Sequence, residues 1–294
     1  MKIVLFGKNG QLGHELQRTL APFGELVAVG HQELDLCDSN ELKAFIGSHE
    51  PQLIVNASAY TAVDRAEQEQ ELAFQVNSHA PGLMAELAHE LHAAFIHFST
   101  DYVFDGTLGR PYVETDTPNP LNVYGKSKLA GEQVIQKVGG AYLILRTSWV
   151  YSMDGDNFVT KVLIWARQKE KLHIVDDQVG NPTWARSLAE IIGNLLAQVG
   201  ETPFAFFEKK AGLYHVAGTG FASRYVWAKE ILKLDPKAIE QVTRDLLPTS
   251  TAEFPAHVKR PLFSAIDCAK FKRTFNAQLA NWEQALILAM QRGV

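Results

Sequence analysis

The first thirteen residues constrain this chain more than any other stretch. Ile3 to Phe6 is a short apolar run. Gly7, Gly10 and Gly13 follow at G-x-x-G-x-x-G spacing, and Leu12, Leu16 and Leu20 then recur on one helical face. Three glycines therefore stand between a strand and a helix. Lacking a Cβ, they let the backbone turn sharply and lie against a pyrophosphate, and the helix start offers free N–H groups and a positive dipole end. The spacing is one residue away from the dinucleotide fingerprint G-x-G-x-x-G. A glycine-rich loop is often only a tight turn; the strand–loop–helix setting favours nucleotide binding.

The pattern then alternates. Leu26 to Val29, Pro51 to Asn56, Ala93 to Phe98 and Tyr142 to Leu145 read as strands. Helical stretches begin near Asp38 or Ser39, run from Glu67 to Leu91, and run from Asn122 to Val138. Such alternation predicts an α/β fold, a Rossmann-like doubly wound parallel sheet, over residues 1–150. Residues 107–120, rich in Gly, Pro, Asp and Thr, read as an exposed loop. Beyond 150 the pattern changes. Helices are expected at Phe158–Ala166, Trp184–Leu196 and Arg224–Leu232, with one or two more between Phe271 and Gln291. Short strands are expected at Leu172–Val175 and Gly212–Val216. Residues 151–294 are expected to form mainly a smaller, interleaved substrate-binding lobe, with some segments returning to the first.

A net charge of −5 over 294 residues argues against a general nucleic-acid or membrane-surface binder, so an anionic ligand needs a local basic pocket. Cys37 and Cys268 lack metal-ligand spacing and read as reduced thiols of a cytoplasmic protein. No apolar run is long enough to span a bilayer, and the apolar start is too short for a signal peptide.

The chemistry concentrates in Tyr124-Gly125-Lys126-Ser127-Lys128. On a helix, Tyr124 and Lys128 at i and i+4 share a face. A lysine charge favours the ionised form of a nearby phenol, which otherwise titrates near ~10, and a phenol moved toward neutrality serves as a general acid or base. Ser99-Thr100-Asp101 ends the fourth strand, at the carboxyl edge where ligands bind in parallel sheets; a turn or helix cap is the plainer reading of that run. Ala57 to Thr61 follows the third strand with small residues that let a cofactor lie close. The second strand ends Val29-Gly30-His31, with no carboxylate for a ribose 2′-hydroxyl, while Lys8 suits a 2′-phosphate. NADPH is therefore preferred, with NADH possible. His31 reads equally well as a solvated loop residue. Asn77 is expected to bond a neighbouring loop.

Four motifs now stand in order: Gly7–Gly13, Asn56–Thr61, Ser99–Phe104 and Tyr124–Lys128. With Arg146-Thr147-Ser148-Trp149-Val150-Tyr151 and Gly212-Leu213-Tyr214-His215, the chain resembles the extended short-chain dehydrogenase/reductases. Within them it is similar to the branch that reduces the C4 keto group of dTDP-4-dehydro-L-rhamnose. The resemblance implies Tyr124 as proton donor to the C4 oxygen. It makes Lys128 the residue that holds the nicotinamide ribose and lowers the tyrosine pKa, and Thr100 a hydrogen bond to the same oxygen. It further implies cofactor contacts from Gly10, Gln11, Leu12, Asp35, Leu36, Ala59, Tyr60, Thr61 and Phe98. Sugar-nucleotide contacts would come from Asp101, Trp149, the Asn181 loop and Arg260.

Some members of the family are dimers joined through glutamates and Mg²⁺. Glu15 and Glu190 match two of those carboxylates, but the tail Met290–Val294 carries no acid, so no structural metal is expected and a homodimer remains possible. Two other readings compete. One is another nucleotide-sugar reductase, epimerase or dehydratase; the last lacks its Asp-Glu pair, since Tyr102 follows Asp101. The other is an NADP-binding, non-catalytic subunit that regulates a partner enzyme.

Overall fold

The computed structural model describes residues 1–200, 202–254 and 258–291. Its first half alternates β1 (Lys2–Phe6), α1 (Gln11–Leu20), β2 (Glu25–Val29), α2 (Ser39–His49) and β3 (Leu53–Asn56). Then come α3 (Val63–Ala66), α4 (Gln70–Phe74), α5 (Ala80–Glu90), β4 (Ala94–Thr100), α6 (Val123–Val138) and β5 (Tyr142–Thr147). The second half holds β6 (Val150–Tyr151), α7 (Phe158–Ala166), β7 (Lys171–Val175), β8 (Val179–Gly180), β9 (Thr183–Trp184) and α8 (Ala185–Leu196). It closes with α9 (Pro203–Glu208), β10 (Gly212–His215), β11 (Ala222–Ser223), α10 (Arg224–Lys233), β12 (Asp245–Thr249), α11 (Ala269–Phe275) and α12 (Trp282–Met290).

Six strands form one parallel sheet in the order β10-β5-β4-β3-β1-β2. Strands β1, β3 and β4 read as continuous apolar runs because both of their faces are covered. One face packs Leu12, Leu16 and Leu20 of α1 and Leu188, Ile192 and Leu195 of α8. The other packs α2 and α5, including Leu42, Ile46, Met84 and Ala85. A third cluster, around Trp227, Tyr151, Trp184 and Trp282, supports the elements after β5. Strand β10 and helix α8 thus come from the second half of the chain but build the sheet and its cover. Among the described residues no helix is long and apolar enough to cross a membrane.

Three segments depart from expectation. The stretch from Glu67 to Leu91 is not one helix: regular structure starts at Gln70, and a π-turn, Gln75–His79, interrupts it. That turn carries buried Asn77, whose amide exchanges two hydrogen bonds with the Tyr60 backbone and donates to Ser127 Oγ at 3.0 Å. The 107–120 loop is not wholly exposed. Tyr112 is buried, stacks on Phe104 and bridges to Ile266. Asp245–Thr249, for which no strand is expected, pairs with β7; Pro248 is tolerated there because it lies in a two-stranded edge pairing.

Candidate active site

The sheet order reverses between β1 and β3, and the crevice at that switch point is where open α/β sheets take ligands. Gly7 closes β1 at φ +86°, and a Cβ there would lie 2.6 Å from the Ser58 amide nitrogen. A Cβ at Gly13 would lie 1.9 Å from the Gly7 carbonyl oxygen, so α1 sits directly on the loop. Gly10 meets nothing nearer than 3.4 Å and caps α1 without a side-chain hydrogen bond. The helix start therefore keeps backbone donors for an anion, and the cradle fits a pyrophosphate. Beside it a cavity of about 610 Å³ opens between the glycine loop, Ser152–Gly155 and Asp235–Lys237. Neither Thr100, Tyr124 nor Lys128 lines that cavity.

The far end of the crevice corrects one expectation. A carboxylate does follow β2: Glu33 folds back to accept from the Gly30 N–H at 2.9 Å and pairs with Lys8 at 2.6 Å. The Lys8 ammonium holds the Glu33 carboxyl below its usual range. Sequence reading missed it because the turn after Gly30 returns a residue four positions past the strand. His31 is exposed. Asp35 is also exposed and accepts from the Cys37 N–H, while Leu36 packs partly into the core.

The reacting end is built on α6 and β4. Asn122 caps α6 by accepting from the Gly125 N–H at 2.8 Å. A Cβ at Gly125 would lie 2.2 Å from the Tyr102 carbonyl oxygen, so only glycine lets α6 press against the 101–103 turn. This contact brings Tyr124 against Tyr102, edge to face at 5.8 Å, and turns its hydroxyl to Thr100. Tyr124 and Thr100 thus converge at the carboxyl end of β4. Asp101 lies beneath them, buried, and accepts from Thr100 (3.2 Å), Ser148 (3.0 Å) and Ser264 (2.5 Å). Burial nevertheless outweighs those hydroxyls and lifts its carboxyl to about 6.

Lys128 departs from expectation. Its Nζ turns inward, donating to the Phe98 carbonyl at 2.7 Å and meeting His97 Nε2 at 3.2 Å. Burial lowers its pKa to about 8, against the pull of Glu132. In this arrangement its charge does not lower Tyr124. Burial pushes the phenol up, the Thr100 hydroxyl pulls it down, and the Asp101 charge pushes it further up.

The chain matches the family model described as "RmlD substrate binding domain" over residues 1–293. It is 38% identical to the dTDP-4-dehydrorhamnose reductase of Burkholderia thailandensis, over 99% of this chain and 98% of that protein. It is 39% identical to the Escherichia coli K12 enzyme of that name, over 96% and 95%. The chain belongs to the dTDP-4-dehydrorhamnose reductase family. Among solved structures, the family member from Bacillus anthracis str. Ames in complex with NADP superposes with a TM-score of 0.89 at 32% identity, covering 99% of each chain.

The remaining candidates lie around Tyr102. Trp149, at φ +45°, stacks on Trp227 and lies under the Arg224 guanidinium, 3.6 Å from the ring centre. Arg224 also bonds Tyr102. No local pattern marks Arg224, because its role depends on a tryptophan 75 positions away folding beneath it. Arg260 faces the same region but is engaged by both Asp64 carboxylate oxygens, at 2.8 and 2.7 Å. The Asn181 side chain is used up inside the fold: its amide donates to the Gly220 carbonyl and accepts from the Ile266 N–H, holding three loops together.

Glu15 and Glu190 do meet across α1 and α8, with Arg18 between them at 3.4 and 3.5 Å and Arg186 on Glu190. Residues 292–294 of the tail lie outside the described residues. Cys37 and Cys268 are free thiols, and burial pushes Cys268 up to about 12.

Proposed function

We propose that this protein reduces the C4 keto group of dTDP-4-dehydro-L-rhamnose, giving dTDP-L-rhamnose, with NADPH as the reductant and NADH as a possible substitute. The bound dihydronicotinamide would supply the hydride. Gly7, Gly10 and Gly13, with the N–H groups of Gln11 and Leu12, would hold the diphosphate. Ala59, Tyr60, Thr61 and Phe98 would bound the nicotinamide side, and Asp35 and Leu36 the adenosine end. As negative charge develops on the C4 oxygen, Tyr124 would give it a proton and Thr100 would hold it by a hydrogen bond. A phenol kept protonated by burial suits an acid that acts only when a stronger base arrives. Asp101 would orient Thr100 and the sugar, and Trp149 would form an apolar wall for the ring. Arg260, released from Asp64, would take the diphosphate with its guanidinium fork. A homodimer and a cytoplasmic setting fit a biosynthetic enzyme of this kind.

The observation that carries this reading is the convergence of Tyr124 and Thr100 at the end of β4, in a chain matched by the family over residues 1–293. The test is Tyr124→Phe. NADPH should bind with its affinity nearly intact, while turnover with the keto sugar nucleotide falls about 10²-fold or more, because only the proton transfer is lost. Turnover at the unsubstituted rate would remove Tyr124 from the chemistry.

A further inference from the structure

Beneath Lys128 lies a chain of hydrogen bonds whose donors and acceptors are fixed from one end. The backbone N–H of Ser58 donates to Asn56 Oδ1 at 3.0 Å, and Ser58 Oγ donates to the same oxygen. The Asn56 amide is therefore oriented, and its Nδ2 must face outward as a donor. Nδ2 lies 3.1 Å from His97 Nδ1. An amide nitrogen has no lone pair to offer, so Nδ1 must be the acceptor. A neutral imidazole then carries its proton on Nε2. That N–H meets Lys128 Nζ at 3.2 Å. An ammonium has three donors and no acceptor, whereas an amine has a lone pair. The amine satisfies both contacts: it accepts from His97 and donates to the Phe98 carbonyl.

We propose that His97 is a positioning residue for Lys128: its Nε2–H holds the lysine inward as the uncharged amine, and the ammonium form is displaced toward Tyr124, where a positive charge assists the phenol. This rests on the reductase reading above and deepens it. His97 is fully buried, and burial by itself drives its pKa well below the ordinary value, so it stays neutral. The other charged and titratable groups near Lys128 are few. On α6 itself lie Tyr124 and Glu132. Arg146 of β5 is committed to Glu132 by two bonds, at 2.8 and 2.6 Å. Asp101 and Tyr102 stand on the 101–103 turn, and Glu67 reaches only the first turn of α6, at the Val123 N–H. Of these, Glu132 favours the charged lysine, and burial opposes it. A donor aimed at the amine tips the same balance toward the neutral form.

The direct test is nitrogen NMR of the intact protein, with the His97 signals assigned by their loss in His97→Gln. The expected spectrum has Nδ1 unprotonated and Nε2 protonated; a protonated Nδ1 overturns the proposal. The kinetic test is the alkaline limb of kcat/KM with NADPH and dTDP-4-dehydro-L-rhamnose. In His97→Gln the amide oxygen can accept from the ammonium, so the limb should move to higher pH by about one unit. Asn56→Asp should give the same shift by a different route. Its carboxylate accepts a hydrogen bond from Nδ1–H, so the ring adopts the other tautomer and Nε2 becomes an acceptor. A merely structural role predicts lower stability and lower kcat with the limb unmoved, and an unmoved limb in both variants overturns the proposal. If His97→Gln does not fold, Asn56→Asp and a spectrum assigned through backbone correlations decide. If the unsubstituted protein oxidises no NADPH with this sugar, the reductase reading fails, while the His97 nitrogen signals still decide the tautomer.

Discussion

At the scale of single residues, the ends of the crevice differ in how far they could be read from sequence. The positions of Gly7, Gly13, Thr100 and Tyr124 were legible because they follow from local order: a loop between strand and helix, a strand end, the first turn of a helix. Glu33 was not, since only the folded turn at Gly30 brings it to Lys8. Its presence changes what the adenosine end favours. A 2′-phosphate must compete with Glu33 for Lys8 and meets a like charge, whereas a 2′-hydroxyl can donate to the carboxylate. Glu33→Gln should therefore raise the ratio of kcat/KM for NADPH over NADH by about tenfold, since it removes one like charge at close range. Initial rates with each cofactor measure it, and a ratio unchanged or lowered would take Glu33 out of cofactor choice. The inward lysine was equally hidden, because nothing in Tyr124-Gly125-Lys126-Ser127-Lys128 announces a histidine 31 positions upstream.

At the scale of elements, α6 organises the site through two neighbouring stripes. Tyr124, Lys128 and Glu132, at successive i+4 steps, look toward β4 and β5. Ser127 and Gly131 meet the π-turn, where a Cβ on Gly131 would lie 2.2 Å from the Asn77 carbonyl oxygen. Glu132 is clamped by Arg146 and by Ser99 Oγ at 2.5 Å, all deeply buried. Removing one partner of such a pair leaves a charge without compensation. Glu132→Gln should cost about 3–5 kcal/mol, or roughly 10 °C in Tm, read by thermal unfolding. A loss under about 1 kcal/mol would mean that the pair does not join α6 to β5 as described. The helix was legible from its period and its Asn122 cap. The π-turn was not, because its signal is a close backbone approach between distant segments, invisible in the periodicity of either. Strand β12 was hidden by its own proline and its polar ends.

At the scale of the whole molecule, the buried histidines set the response to acid. His215 is held neutral by burial and by Arg146, its pKa lowered to about 3, and His97 is lowered well below 6.5. Below about 6.5 the unfolded chain binds two protons that the folded chain refuses, so stability falls as pH drops. Asp101 works the other way: its folded value of about 6 lies above the ordinary 3.8 of an aspartate, so the folded chain binds the extra proton between them. Two groups outweigh one. Between neutrality and about pH 5 the protein should lose about 2 kcal/mol, seen as a falling Tm across that interval. A Tm flat or rising would contradict the neutral assignment of the histidines. The alternation of strands and helices made the parallel sheet legible. Its sixth strand was harder, since β10 arrives from beyond residue 200 to complete an edge.

Reduction of the keto sugar is tested most directly by mixing the purified protein with NADPH and enzymatically generated dTDP-4-dehydro-L-rhamnose. Loss of the reduced-nicotinamide absorbance should be matched by formation of dTDP-L-rhamnose, mole for mole, with a slower or comparable rate in NADH. Cofactor that binds but is not oxidised, with the keto sugar nucleotide recovered unchanged, would contradict it and point instead to an NADP-binding subunit without catalysis.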